Sequence, residues 1–276
     1  HYTEVYKKIG MWYTTSMQKK HVIFSALLCL FAARAAAQPF TLSLKTEIPI
    51  GTALLAGELF HNIYDFTAAT DKWDGRTYDK SDVNAFDRAL MHRYSKPFDL
   101  TGDAMMVLLP AGTVLFSSYF VYKNYATKDM FTQVAIAAET LIMAHTLPHI
   151  AKPIVQRVRP YNYYSGDEGK EDDWDRSFFS GHTTMAFAAA TFGTYTFATW
   201  FPESPLRIPF AAVSYSLAAL TGISRVYAGC HFATDVLVGA AVGTAVGFLV
   251  PWLHTLCTKD TQISLSPAGF SITKHL

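Results

Sequence analysis

Three short polar runs hold side chains that could do chemistry together. Lys152 and Arg159 are separated by six residues and Arg159 is followed by Pro160; then comes Ser180-Gly181-His182; then Ser224-Arg225, five residues, His231, three residues and Asp235. A bound phosphate carries two negative charges on several oxygens, and it asks for point cations, forked donors and backbone N–H groups. Lys152 offers the compact charge and Arg159 and Arg225 the bidentate forks. Ser180 and the Gly181 amide stand at the start of an expected helix, where N–H groups and the dipole favour an anion. His231 and Asp235 are four apart, so on a helix both face one way. The carboxylate can then hold one ring proton while the other nitrogen attacks phosphorus. His182 is left to protonate the departing alkoxide. The catalytic candidates are therefore His231, His182 and Asp235, and the phosphate-binding candidates are Lys152, Arg159, Ser180, Gly181 and Arg225.

Taken together, the three runs resemble the signature motifs of the type 2 phosphatidic acid phosphatase superfamily, in its membrane lipid phosphatase branch. Bacterial acid phosphatases and vanadium-dependent haloperoxidases are related to that branch. The likeness covers roughly residues 150–255. It departs at Phe179, where the family usually has proline before Ser-Gly-His; a turn residue changes and no functional group is lost. The resemblance implies a hydrolase that works through a phosphohistidine, with His231 as nucleophile and His182 as acid, and without a cofactor.

Other titratable residues have plainer readings. His145 and His149 share a helical face, with Glu139 before them, but no second ligand pair is in sight; hydrogen bonding behind Lys152 is preferred to a metal site. Arg157 has no counterpart in the motif and reads as an interfacial arginine snorkelling to headgroups. Asp167, Glu168, Glu171, Asp172, Asp173 and Asp175 form an acidic loop between the first two runs, read as solvated, with a gate or headgroup selector as the sharper alternative.

The elements that must position these groups read as membrane helices. Of 276 residues, 50% are hydrophobic and 16% charged, which is rich in apolar and poor in charged residues for a soluble domain. A net charge of +1 without a basic run argues against nucleic acid as a partner. Three scattered cysteines argue against a disulfide scaffold or a zinc site. Apolar segments near 101–122, 129–151, 181–200 and 233–256 approach the ~20 residues a bilayer requires, with a shorter one at 207–223. The segment 48–65 begins apolar but meets Glu58, His61, Asn62 and Asp65, which leaves open whether it spans. From Asp82, read as a cap, Val83, Phe86, Leu90, Met91 and Tyr94 mark an amphipathic helix on the membrane surface. Ile263 and Leu265, then Phe270 and Ile272, alternate around a turn and predict a small hairpin. The small residues of 186–193 and 239–247 predict close helix packing. The fold class that follows is all-α: an integral-membrane bundle of about five to six helices with an interfacial helix and a C-terminal hairpin.

Residues 1–16 read as upstream of the likely start at Met17. Residues 17–37 read as a secretory signal or an N-terminal anchor, residues 38–258 as one membrane domain, and 259–276 as a tail. Lys123, Lys128 and Arg207 fall in loops on the side opposite the polar runs, so the positive-inside tendency points the site outward. That implies a bacterial inner membrane with the site facing the periplasm. Membrane lipids are then the surroundings and a lipid phosphate the substrate: undecaprenyl pyrophosphate, phosphatidylglycerol phosphate, phosphatidate or a lipid A phosphate. A haloperoxidase-like enzyme or a non-specific periplasmic acid phosphatase is the alternative. The oligomeric state is not legible.

Overall fold

A computed structural model describes residues 38–67, 76–165, 173–256, 261–267 and 269–274. The expected signal segment, the residues before it, and Asp167, Glu168, Glu171 and Asp172 of the acidic loop lie outside the described residues. In chain order the helices are α1 (Leu44–Thr67), α2 (Ala85–Leu90), α3 (Lys96–Asn124), α4 (Thr127–Val155), α5 (Gly181–Trp200), α6 (Arg207–Tyr227) and α7 (Ala233–Leu253). An antiparallel hairpin follows, β1 (Thr261–Ser266) and β2 (Gly269–Lys274), with Ile263 opposite Ile272 and Leu265 opposite Phe270. Two 3₁₀ turns, Lys80–Asp82 and Pro160–Tyr163, sit in the connections.

Helices α3, α7 and α4 with the segment that continues it to Tyr163 are long and apolar enough to cross a membrane. Large apolar side chains on the outer faces, among them Val107, Leu108 and Leu115 on α3 and Leu237 on α7, remain exposed. Burying them against lipid tails is the arrangement that leaves no exposed apolar belt in water. The outer helices are longer than the apolar windows alone predict. α4 runs past His149 and Lys152 to Val155 and is closed by Gln156, whose φ of 47° is left-handed. α6 continues to Tyr227 and so carries Arg225 in its last turn.

At the centre lies α5, packed against α3, α4, α6 and α7. Its alanines 186, 188, 189 and 190 are fully buried. Against it α7 presents Gly239, Gly243 and Gly247 at steps of four. A Cβ on Gly239 would stand 2.7 Å from the Ser180 carbonyl oxygen, and one on Gly243 or Gly247 would overlap the carbonyls of Thr184 and Ala188. The two backbones therefore touch along two turns. Dispersion contact between helices supplies cohesion that the hydrophobic effect does not supply within a bilayer.

Two polar residues of α1, Glu58 and His61, turn towards α4, while Asn62 is exposed. Glu58 accepts a 2.6 Å hydrogen bond from Thr146 of α4 and lies 3.8 Å from the His145 ring nitrogen. The His61 and His149 rings meet at 4.7 Å, while Ile48, Leu55 and Leu59 are exposed. Those polar groups thus mark the face that packs on α4. The short helix α2 is capped by Asn84, whose side chain accepts from the Asp87 amide, and not by Asp82. Its expected stripe divides: Val83 and Met91 are buried with Phe232, whereas Phe86 and Leu90 are exposed.

Candidate active site

All three polar runs come to one end of the bundle. Lys152 is in the last turn of α4, Arg159 just after it, His182 in the first turn of α5, Arg225 in the last turn of α6, and His231 in the short link before α7. That link turns tightly because Gly229 adopts a φ of +69°, with the Arg93 carbonyl so near that a side chain would collide.

His231 is 2% exposed and its Nδ1 lies 2.6 Å from the Ser177 carbonyl oxygen. A carbonyl only accepts, so Nδ1 carries the ring proton and Nε2 keeps its lone pair. That nitrogen faces Arg159 Nη1 at 3.5 Å. Burial, then the fields of Arg159, Arg225, Lys152 and His182, hold the ring well below the usual histidine range. The imidazole is therefore neutral and nucleophilic at neutral pH, within a cluster of cations that would attract a phosphate.

The spacing of His231 and Asp235 suggested a direct bond between them. Instead the nearest approach is 3.9 Å. His231 precedes the helix, which begins at Ala233, so helical spacing does not apply. Asp235 occupies the third helical position, and one oxygen accepts from the Phe232 amide (2.8 Å) and the Ser177 hydroxyl (2.5 Å). Asp235 therefore fixes Ser177, and the Ser177 carbonyl fixes His231. The other Asp235 oxygen takes a 2.5 Å bond from Arg157 Nη1.

Arg157 is not at the lipid interface, as its place outside the motif suggested. Its guanidinium joins Asp235 to Asp87 (Nη2 to Oδ2, 2.7 Å) and lies over the Phe232 ring, 4.1 Å from the centroid. Burial alone would raise the Asp87 carboxyl, but bonds from Thr234 and Arg157, with Asn84, hold it below the usual carboxylate range.

The cations are braced in turn. Arg225 Nη1 lies 2.8 Å from Asp99 Oδ1 and donates to the Asp99 carbonyl at 3.1 Å. Its path needs Gly102, where a Cβ would stand 2.6 Å from Nη1. Tyr94 donates to the same Asp99 at 2.9 Å; burial, then this bond, pushes its phenol up to about 12, so it remains a donor. Arg159 pairs through Nη2 with Asp173 and donates to the Cys230 carbonyl at 2.9 Å. His182 Nε2 lies 2.8 Å from Asp103 Oδ1. Ser180 caps α5 from a fully buried position, its hydroxyl accepting from the Thr183 amide and hydroxyl, and Gly181 opens the helix beside it.

Reading the motifs alone missed Asp87, Asp99, Asp103 and the bridging part of Arg157. A signal existed for two of them: Asp99 and Asp103 lie four apart near the start of an apolar helix, and ionisable groups in such a place rarely lack a partner.

These helices define an integral-membrane protein, and at one end of its bundle Lys152, Arg159 and Arg225 gather around a neutral histidine. Residues 133–259 match the PAP2 superfamily model, a little under half of the chain. It is 41% identical over 96 residues to a lipid A 1-phosphatase of Porphyromonas gingivalis, covering 34% of this chain and 19% of that protein. It is 29% identical over 151 residues to a lipid A 4'-phosphatase of the same organism, covering 50% of this chain and 57% of that one. Among solved structures it is similar to a transmembrane PAP2 type phosphatidylglycerolphosphate phosphatase from Bacillus subtilis, at 22% identity and a TM-score of 0.46 over 72% of this chain and 94% of that one. The chain thus spans between a fifth and three fifths of the length of the two lipid A phosphatases.

Proposed function

We propose that this chain is a membrane phosphatase that removes phosphate from a lipid through a phosphohistidine on His231, with a lipid A phosphate as the leading substrate. The observation that carries this reading is the His231 ring: neutral, with its proton committed to Ser177 and its free nitrogen surrounded by Lys152, Arg159 and Arg225. Phosphate held by those cations presents phosphorus to Nε2. The N–P bond forms as the ester P–O bond breaks, and His182, protonated as the negative charge of the bound phosphate offsets the nearby cations, gives that proton to the leaving oxygen. Water then attacks phosphorus, His182 takes a proton from it, and the N–P bond breaks to release phosphate. Asp103, beside His182, fixes that ring during both halves.

The lipid A assignment rests on the names of the relatives from Porphyromonas gingivalis. A lipid phosphate also suits a site at the ends of membrane helices, where headgroups lie. Lys123, Lys128 and Arg207, at the opposite helix ends, support a periplasmic site in a bacterial inner membrane. The test is phosphate release by the detergent-purified protein from lipid A, phosphatidylglycerol phosphate, phosphatidate and undecaprenyl pyrophosphate. Preferential release from lipid A, lost in His231→Ala, is expected. Release from one of the other lipids alone would overturn the substrate, and no release from any would overturn the activity.

A further inference from the structure

At the other end of α7, away from the site just described, three ligating side chains from three helices meet around one point. They are Glu47 in the first turn of α1, Glu139 in α4, and His254, which closes α7. His254 is fully buried; the two glutamates are 19% and 18% exposed. At 1.5 Å per residue the length of α7 puts this cluster about 30 Å from His231.

The His254 ring is prepared on one side and unsatisfied on the other. Its Nδ1 lies 2.8 Å from the Val250 carbonyl, which can only accept, so a proton is held there and Nε2 is the ring atom turned to the glutamates. Nε2 stands 3.2 Å from Glu47 Oε1 and 3.2 Å from Glu139 Oε2, two more electron-rich atoms. Neither oxygen is placed to form a hydrogen bond with it, and Glu139 Oε2 is itself buried without a hydrogen-bond partner. Two carboxylates and a ring nitrogen facing one another in a buried place repel unless a positive charge, either a proton on Nε2 or a metal ion that displaces it, lies between them.

We propose that Glu47, Glu139 and His254 bind one divalent cation of the zinc class, which ties α1, α4 and α7 together. The dimensions agree. Zinc binds imidazole nitrogen and carboxylate oxygen at about 2.0–2.2 Å in a tetrahedron, which sets neighbouring ligand atoms about 3.3 Å apart. An N–H held by a backbone carbonyl behind the metal-facing nitrogen is the usual support for a zinc-bound histidine. Imidazole with carboxylate suits zinc better than magnesium or calcium, which favour oxygen ligands alone. With three protein ligands, water or the second oxygen of a glutamate completes the shell.

The expectation of no metal at His145 and His149 concerned a different face of α4. Those rings face α1 through His61 and Glu58, whereas Glu139 turns to His254. The cation proposed here is structural and remote from the phosphate chemistry.

Full-length protein in detergent is stripped with a chelator, dialysed against micromolar zinc and washed, then analysed for metal by mass spectrometry and for melting temperature. We expect about one zinc per chain and a rise of roughly 5–10 °C on reloading. Cobalt in place of zinc should give the strong visible bands of a tetrahedral ion. Glu139→Gln and His254→Gln should lose the metal and the zinc-dependent rise. Glu47→Ala, a milder change in a first turn, should weaken both if the other two variants do not fold. Wild-type protein that holds no zinc, with a melting temperature indifferent to zinc and chelator, would overturn the proposal; so would full zinc retention by a folded Glu139→Gln variant.

Discussion

Replacing Arg157 by methionine removes the charge that joins Asp87 to Asp235 while keeping a stem that packs over Phe232. Both carboxylates have side chains with no exposure, and Arg157 itself is 24% exposed. Removing one partner of a buried ion pair costs about 3–5 kcal/mol, because the remaining charge is left uncompensated. The partial exposure of Arg157 places the cost near the lower figure, even with two carboxylates involved. For a chain of this size about 3 kcal/mol lowers the melting temperature by roughly 6–12 °C. Thermal unfolding in detergent, followed by tryptophan fluorescence, measures this. Phosphatase activity should fall as well, since Asp235 positions Ser177 and Ser177 holds the His231 proton. Arg157→Met combined with Asp87→Asn should recover part of the lost stability, because one buried charge is then gone. A fall of under about 2 °C in Arg157→Met, with unchanged turnover, would refute the bridge and restore the view of a headgroup-seeking arginine.

The two histidines should separate by leaving group. His231→Ala is expected to abolish phosphohistidine and turnover on every substrate, while His182→Ala should lose about 10²–10⁴-fold on a lipid phosphate and much less on nitrophenyl phosphate; kinetics on both substrates show which mutant recovers. Stability should depend on pH through His231. Its folded pKa lies below the ordinary value of about 6.5, so its contribution is complete above pH 6.5. That contribution is lost as pH falls towards the folded pKa, because only the unfolded chain then takes up the proton. The melting temperature of wild type minus that of His231→Gln should therefore decrease between pH 7 and pH 5, and a constant difference would contradict the depressed ring. Gly243→Val places a side chain against the Thr184 carbonyl. Overpacking of this kind costs about 1–3 kcal/mol, read as a fall of several degrees in the melting temperature, whereas Gly112→Val, where nothing lies within 4 Å, should change it little.

The sequence alone determined the membrane helices and which titratable residues stand at their ends, because both depend on local facts. An apolar run of about twenty residues has few other uses, and Lys152, Arg159, Ser180-Gly181-His182, Arg225 and His231 are recognisable by type and spacing at predicted helix ends. Hairpin and small-residue packing were legible for the same reason, since alternation and glycine steps of four are local patterns. What only the tertiary structure decided is who holds whom across long separations. His231 and Asp235 look like a bonded pair, but the helix starts between them, so the ring proton goes to Ser177 instead. Arg157, with no motif to mark it, finds Asp87 seventy residues earlier and Asp235 seventy-eight later. Glu47, Glu139 and His254 come from the two ends and the middle of the chain. No spacing rule links such groups, because their meeting depends on how α1, α4 and α7 pack, and that is set by the summed fit of many apolar and small side chains rather than by any local pattern.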